Sequence, residues 1–351
     1  MHKEAVMSNR HRLVGVAALA GVITLMSAVA GRSAFSAPGQ QASVPGKNGA
    51  IAFKRYLDTG RSTGAIFAIA PNGTSSRQVT SPDQGVIDDQ PDWSPDGSRL
   101  VFHRAIPDGP WAIYTVKADG SELTRLSPPC SASETQCEDG EQAHFLPDGA
   151  RVVYTRATGE VRHFANADQV EHSDIVMRDV DGTNPRVLIR SRPYQGDFLS
   201  PIFSPDGSQL LYVRANAPLT KPAFRHALFV ASSDGSTQRR ITPWSLDAGD
   251  SPDWSPNGRL ILFRSYEAGD KQSQIYVMRP DGTGLRALTR FKPGTMVLSS
   301  SFSPDGKWIT FAMPGKGGEP DIFVMRTNGT GIRAVTRTRL WDSAPDWGSA
   351  R

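Results

Sequence analysis

From residue 48 onward the chain is a succession of short apolar or β-branched runs, each closed by a polar turn built on Asp-Gly or Asn-Gly. One such run reads Pro91-Asp92-Trp93-Ser94-Pro95-Asp96-Gly97 and leads into Arg99-Leu100-Val101-Phe102. It recurs at His144-Phe145-Leu146-Pro147-Asp148-Gly149, at Ile202-Phe203-Ser204-Pro205-Asp206-Gly207, at Pro252-Asp253-Trp254-Ser255-Pro256-Asn257-Gly258 and at Ser301-Phe302-Ser303-Pro304-Asp305-Gly306. A truncated copy, Pro345-Asp346-Trp347-Gly348, stands near the end. A second unit alternates with the first: Ile113-Tyr114-Thr115-Val116 leads to Asp119-Gly120 and a polar-apolar segment ending at Leu126, with equivalent turns at Gly73, Gly182, Gly235, Gly282 and Gly329. Two β-prone runs joined by Asp-Gly or Asn-Gly form a hairpin, because both turn residues tolerate the positive φ of the tight turn. Two hairpins per repeat predict four strands, denoted A (the Trp/Phe strand), B, C and D.

The second-turn glycines fall 47, 62, 53, 47 and 47 residues apart. Four short strands recurring at that interval predict a propeller blade, and six second turns predict six blades. The first unit, opening at Ala50-Ile51-Ala52-Phe53, lacks an A strand, whereas Pro345-Asp346-Trp347 is an A strand with no unit after it. The expectation is an all-β, six-bladed β-propeller of four-stranded antiparallel blades, closed by the C-terminal strand pairing into the first blade. Closure removes the open edges that a linear array would leave.

At Asp-Trp-Ser-Pro-Asp-Gly and Ile-Tyr-x-Met/Val-x-x-Asp-Gly the sequence resembles the WD-type repeats of the TolB-like six-bladed propeller family, within the prolyl-oligopeptidase/TolB propeller superfamily. The resemblance runs from Asn48 to Trp347. It implies the propeller fold without the N-terminal α/β domain of TolB, whose place is taken by a tether of about 17 residues; a fold by itself names no partner.

The first 30 residues differ in kind. His2, Lys3, Arg10 and Arg12 precede an uncharged apolar run from Leu13 to Ala30 that ends Ala28-Val29-Ala30. That is the layout of a cleaved signal peptide, and the run is also just long enough for a membrane anchor. Residues 31–47, rich in Ser, Ala, Pro, Gln and Gly, read as a flexible tether to the propeller at 48–351. Export implies an extracytoplasmic protein, periplasmic or secreted. Lys and Arg number 39 against 35 Asp and Glu, and the first 30 residues, with Lys3, Arg10 and Arg12 against Glu4, account for half of the excess. No nucleic-acid surface is therefore expected. The D-strand arginines, Arg125, Arg239, Arg240, Arg286, Arg290, Arg333 and Arg337, read as edge-protecting charge. The two cysteines, Cys130 and Cys137, predict a local disulfide in an exported chain.

In an up-and-down blade the A–B and C–D turns share one face, and the B–C and D–A connections share the other. The first are uniformly tight. The three length excesses, at 157–173, 216–227 and 128–142, all fall on the second, which is the predicted binding face because binding residues concentrate on variable loops over a rigid frame. Phe224 and Arg225, with Lys221 and His226, offer an aromatic and basic group suited to protein contact. The longest insertion carries Glu160, His163, Asp168, Glu171 and His172, where a solvated loop explains the clustering better than a site does. The start of each A strand adds carboxylates to the same face: Asp88, Asp89, Glu141, Asp250 and Asp342, with Asp92, Asp253 and Asp346 just before the tryptophans. Asp89, Glu141 and Asp250 could together hold a hard cation in the central channel, Ca²⁺ or Mg²⁺, since such ions want oxygen ligands; no other cofactor is expected. Equally, each Asp could cap its own turn or bond the next blade's backbone.

Catalysis has little to stand on. No Gly-x-Ser-x-Gly elbow and no His-Glu-x-x-His occurs, and His144 is the sole histidine on an A strand. The expected function is a monomeric protein-binding or scaffold module of the cell envelope. The alternative is a metal-dependent hydrolase or lyase with its site at the channel mouth.

Overall fold

The computed structural model describes residues 46–107, 109, 111–128, 139–157, 161–164, 167–170, 173–192, 196–216, 225–249, 251–266 and 273–350, with the backbone alone at 161–164, 167–170 and 266. The described residues form an all-β propeller whose one helical element is the short 3-10 turn Trp244–Leu246.

Four sheets have four strands each. One holds Asp139–Phe145, Arg151–Ala157, Ser173–Asp179 and Arg186–Ile189; the next holds Phe198–Phe203, Gln209–Ala215, His226–Ser232 and Gln238–Arg240. The other two run Asp253–Trp254, Ile261–Tyr266, Ser273–Met278, Arg286–Ala287 and Ser300–Phe302, Trp308–Pro314, Pro320–Arg326, Arg333–Ala334. In all four the pairing order follows A, B, C, D, and the D strands are the shortest or nearly so.

The first two units differ from the expectation of separate sheets. They merge into one eight-stranded sheet through a single parallel pair, Gly64 with Ile87. On one side of that junction lie Asp342–Ser349, Asn48–Tyr56, Gly64–Ile69 and Arg77–Gln78. On the other lie Ile87–Trp93, Arg99–Ala105, Ala112–Lys117 and Thr124–Arg125. The C-terminal strand pairs antiparallel with the first strand, Ile51 opposite Trp347 and Arg55 opposite Asp342, so the two ends of the chain complete one another.

Packing between units supplies the core. The apolar cluster of Ile51, Phe53, Ile322, Val324, Val335 and Trp347 joins the last unit to the first. Equivalent clusters join each later pair, for example Trp93 with Ile66 and Phe102, and Phe203 with Ile175 and Tyr212. The A-strand aromatics Trp93, Trp254, Trp347, Phe145, Phe203 and Phe302 are all buried, as large rings between neighbouring sheets should be.

The turns confirm which connections share a face. Within a unit the two hairpin turns bond each other: Ala118 N–H donates to Ser98 O, Ser233 N–H to Ser208 O and Thr327 N–H to Lys307 O. The C–D turns also press on the preceding unit. Gly235 has φ +76°, and a Cβ there would stand 2.2 Å from Leu188 O, so glycine is demanded twice over. Gly73 makes the corresponding approach to Val335 O, across the closure. On the outer rim, Arg239 donates to Pro280 O and Asp281 O, and Arg333 donates to Pro71 O. These D-strand arginines thus staple neighbouring units, a role their pattern in the sequence does not reveal.

Candidate functional site

Most A strands carry an irregularity at the same place. The register shifts between Asp89 and Asp92, between Glu141 and His144, and between Leu199 and Ile202. At the bulge a non-glycine residue takes positive φ: Gln90, Gln142, Ser200, Ser251 and Ala344, all between 48° and 56°. Such left-handed residues are costly and persist where the surrounding structure fixes them. Here the bulge re-aims each A strand so that three successive residues, or nearly so, face a central cavity. Its wall is made of Gln90–Asp92, Gln142 and His144, Ser200 and Ile202, Ser251–Asp253, Ser299–Ser301 and Ala344–Asp346, one segment from each A-strand position around the ring.

The cavity carboxylates tie consecutive A strands together. Asp346 Oδ2 accepts from Trp93 N–H (2.8 Å), Asp92 Oδ2 from Phe145 N–H (2.7 Å) and Asp253 Oδ2 from Phe302 N–H (2.6 Å). Where the repeat has no Asp, other groups continue the girdle: Gln142 Oε1 accepts from Ser200 N–H, and Ser251 N–H donates to Ser200 Oγ. This is the neighbour-bonding role left open for Asp92, Asp253 and Asp346 by the sequence.

The girdle has an electrostatic cost. Burial, with the charge of Asp92 added, pushes the Asp346 carboxyl up to about 7, and burial pushes Asp253 up to about 6. Burial alone would lower His144, but its contact with Asp92 Oδ1 (3.0 Å) outweighs that and leaves its pKa raised. Ser301 Oγ donates to Asp346 Oδ1 at 2.8 Å.

The carboxylates one turn earlier sit differently. Asp88 is fully buried beneath Arg104, with Oδ1 and Oδ2 accepting at 2.6 and 2.9 Å. Asp342, equally buried, makes the same bidentate pair with Arg55 at 2.7 Å for both bonds. Asp89 accepts from Lys54 Nζ at 2.5 Å; burial would raise its pKa, yet Lys54 holds it low. Glu141 is half-buried on its strand, and neither it nor Asp89 lines the cavity. Asp250 lies outside the described residues. Among the described residues no three His, Cys, Asp or Glu side chains are gathered to hold a metal ion. The basic partners Arg55, Arg104 and Lys54 are what sequence reasoning missed: Arg55 and Arg104 sit on the B strand paired with the acid's own A strand, up to 287 positions away, and Lys54 on the B strand of the preceding unit.

On the loop face, Arg225 Nη1 pairs with Asp247 Oδ2 at 3.1 Å, and His226 Nδ1 meets Asp247 Oδ1 at 3.0 Å. Phe224 and Lys221 lie outside the described residues. The long B–C insertion folds as a two-stranded hairpin, Val161–Phe164 with Ala167–Val170. The side chains of His163 and Asp168 in it, and Glu160, Glu171 and His172 beside it, are outside what is described. So are Cys130, Cys137 and the leader. No helix among the described residues is long and apolar enough to cross a membrane.

Comparison with known proteins agrees with this architecture. The chain is 30% identical over 256 residues to the Tol-Pal system protein TolB of Bordetella parapertussis, covering 69% of this chain and 54% of that protein. The matching protein of Bordetella pertussis is 30% identical over 237 residues. The chain thus spans about half the length of the curated relatives it matches. Among solved structures, TolB from Acinetobacter baumannii superposes with a TM-score of 0.66 at 14% identity, covering 87% of this chain and 68% of that one. A putative TolB from Agrobacterium tumefaciens gives 0.57 at 19% identity, covering 82% and 88%. At such identities the superpositions speak for the fold alone. The family described as the TolB beta propeller domain matches residues 161–350, more than half of the chain. With its repeats, its closed ring and that match together, the chain belongs to the TolB beta propeller domain family.

Proposed function

We propose that this propeller is an exported, protein-binding module of the cell envelope, with six blades and a working face formed by the B–C and D–A loops. The blade count treats the eight-stranded sheet as two blades joined at Gly64 and Ile87, which matches the six wall segments of the cavity. The observation that carries the reading is a contrast between faces. On the tight-turn face the two short turns of a unit are bonded to each other, whereas the opposite face bears every length excess read from the sequence. Relatives named as components of the Tol-Pal system support a protein partner in the envelope. Among the described residues Asp88, Asp342 and Asp89 are engaged with arginine or lysine, and Asp92, Asp253 and Asp346 accept from backbone N–H groups, which supports reading the module as a binder rather than an enzyme.

The test is capture of envelope proteins on the purified chain, followed by affinity measurement with the protein so identified. Replacing Phe224 by Ala should weaken that complex by about 1–3 kcal/mol without changing thermal stability, because a few aromatic and arginine anchors dominate most interfaces; replacing Arg225 should weaken it too, with a loss of stability from its pair with the buried Asp247. Changing Ser98 or Lys307 on the tight-turn face should leave the affinity intact. The opposite pattern would refute the choice of face.

A further inference from the structure

We infer that the central cavity is a binding site for an organic monocation bearing N–H donors, a primary ammonium or a guanidinium group. The inference goes beyond protein binding by the loop face and does not rest on it. Three carboxylates, Asp92, Asp253 and Asp346, line the cavity, and among the described residues no lysine or arginine does. The one basic group on the wall, His144, is spoken for by Asp92. Each carboxylate is held in place by the N–H of the next A strand, so the acceptors are fixed before any ligand arrives. A second observation is independent of the acids. Ser300 is 4% exposed, faces the cavity, and its hydroxyl has no hydrogen-bond partner. A buried hydroxyl left unsatisfied is costly, and an entering N–H donor would satisfy it.

The chemistry selects the kind of cation. A hard metal ion needs several oxygens converging at about 2.3–2.6 Å. Here the acceptors are dispersed around the wall, and the described residues gather no metal-binding group of three. An ammonium carries three donors that diverge from one nitrogen, and a guanidinium five spread over three nitrogens, so either reaches acceptors on different parts of the wall. A bound cation would also offset the burial, and after it the charge of Asp92, that raises Asp346 to about 7 and Asp253 to about 6. The titratable groups facing the cavity are Asp92 from Ile87–Trp93, His144 from Asp139–Phe145, Asp253 and Asp346. The remaining two A strands contribute only Ile202 and serines. Affinity should therefore rise as the pH rises through 6 to 7.

The experiment is calorimetric titration of the full chain with methylguanidinium chloride at pH 8 and pH 5. Tetramethylammonium chloride serves as the cation without donors, and calcium chloride as the metal. The expected result is one methylguanidinium per chain, bound at least tenfold more weakly at pH 5. The affinity should fall by at least tenfold in Asp253→Asn and in Asp346→Asn, and stay unchanged in Asp234→Asn on an exposed turn. Titration with N-acetyl-arginine methylamide separates the two sources. Comparable binding assigns the site to an arginine side chain of a peptide, and its exclusion assigns the site to a free small cation. Absence of methylguanidinium binding, equal binding of tetramethylammonium, affinity independent of pH in the wild type, or displacement by one calcium per chain would each overturn the inference.

Discussion

Replacing Asp253 by Asn should stabilise the protein above neutral pH and leave it unchanged in acid. Asp253 has an ordinary carboxyl pKa of 3.8 that burial raises to about 6 in the folded chain. A raised folded value means that the folded state holds the proton more tightly than the unfolded one. Stability is then fully present below the ordinary value and is lost as the pH climbs through the folded value. Two units at roughly 1.4 kcal/mol each give a charged-state penalty of about 3 kcal/mol. The side chain is partly open to the cavity, so water screening reduces that to about 1–2 kcal/mol. Asparagine keeps the oxygen that accepts from Phe302 N–H and never ionises, so the inter-strand bond survives. Thermal melts and urea titrations of both proteins at pH 8 and pH 4 read the effect directly. At pH 8 the variant should melt about 2–6 °C higher; at pH 4 the two should coincide. Equal shifts at both pH values, or a destabilised variant at pH 8, would refute the electrostatic account of the cavity.

Three further outcomes follow from the same geometry. Trp347→Ala should cost about 3–5 kcal/mol by opening the cluster around Ile51 and Phe53, and deletion of 341–351 should leave a chain that aggregates, both read by thermal melts and light scattering; a deletion variant that stays monomeric with an unchanged melting temperature would exclude ring closure as a source of stability. Asp88→Ala should cost about 3–5 kcal/mol in urea titrations, because it strands Arg104 against the buried interior; a loss under 1 kcal/mol would show that water reaches the guanidinium.

The repeat was legible because its signals are local. Asp96-Gly97 and Asp119-Gly120 specify their turns within a few residues, and the mismatch between an opening unit without an A strand and a closing A strand without a unit announces the pairing of Ile51 with Trp347. Burial of the A-strand aromatics follows from the same periodicity. The bulges were not legible. Gln90, Gln142, Ser200, Ser251 and Ala344 take positive φ without the glycine that usually marks it, so their residue types carry no warning. Nor were the fates of the carboxylates. Asp88 and Asp342 look like free acids until the B strand brings Arg104 and Arg55 beside them, and those contacts depend on register between strands rather than on spacing along the chain. The distinction between Asp88 and Asp92, four residues apart, also depends on the bulge between them, which turns one toward arginine and the other toward the cavity.

The central claim is that the loop face, not the tight-turn face, is where this propeller meets its protein partner. Hydrogen exchange of the full chain with and without the captured partner tests it most directly. The account predicts protection confined to the B–C and D–A connections, including 157–173, 216–227 and 128–142, with no change at the turns around Gly97, Gly207 and Gly306. Protection centred on those turns, with the long connections exchanging as in the free protein, would contradict it.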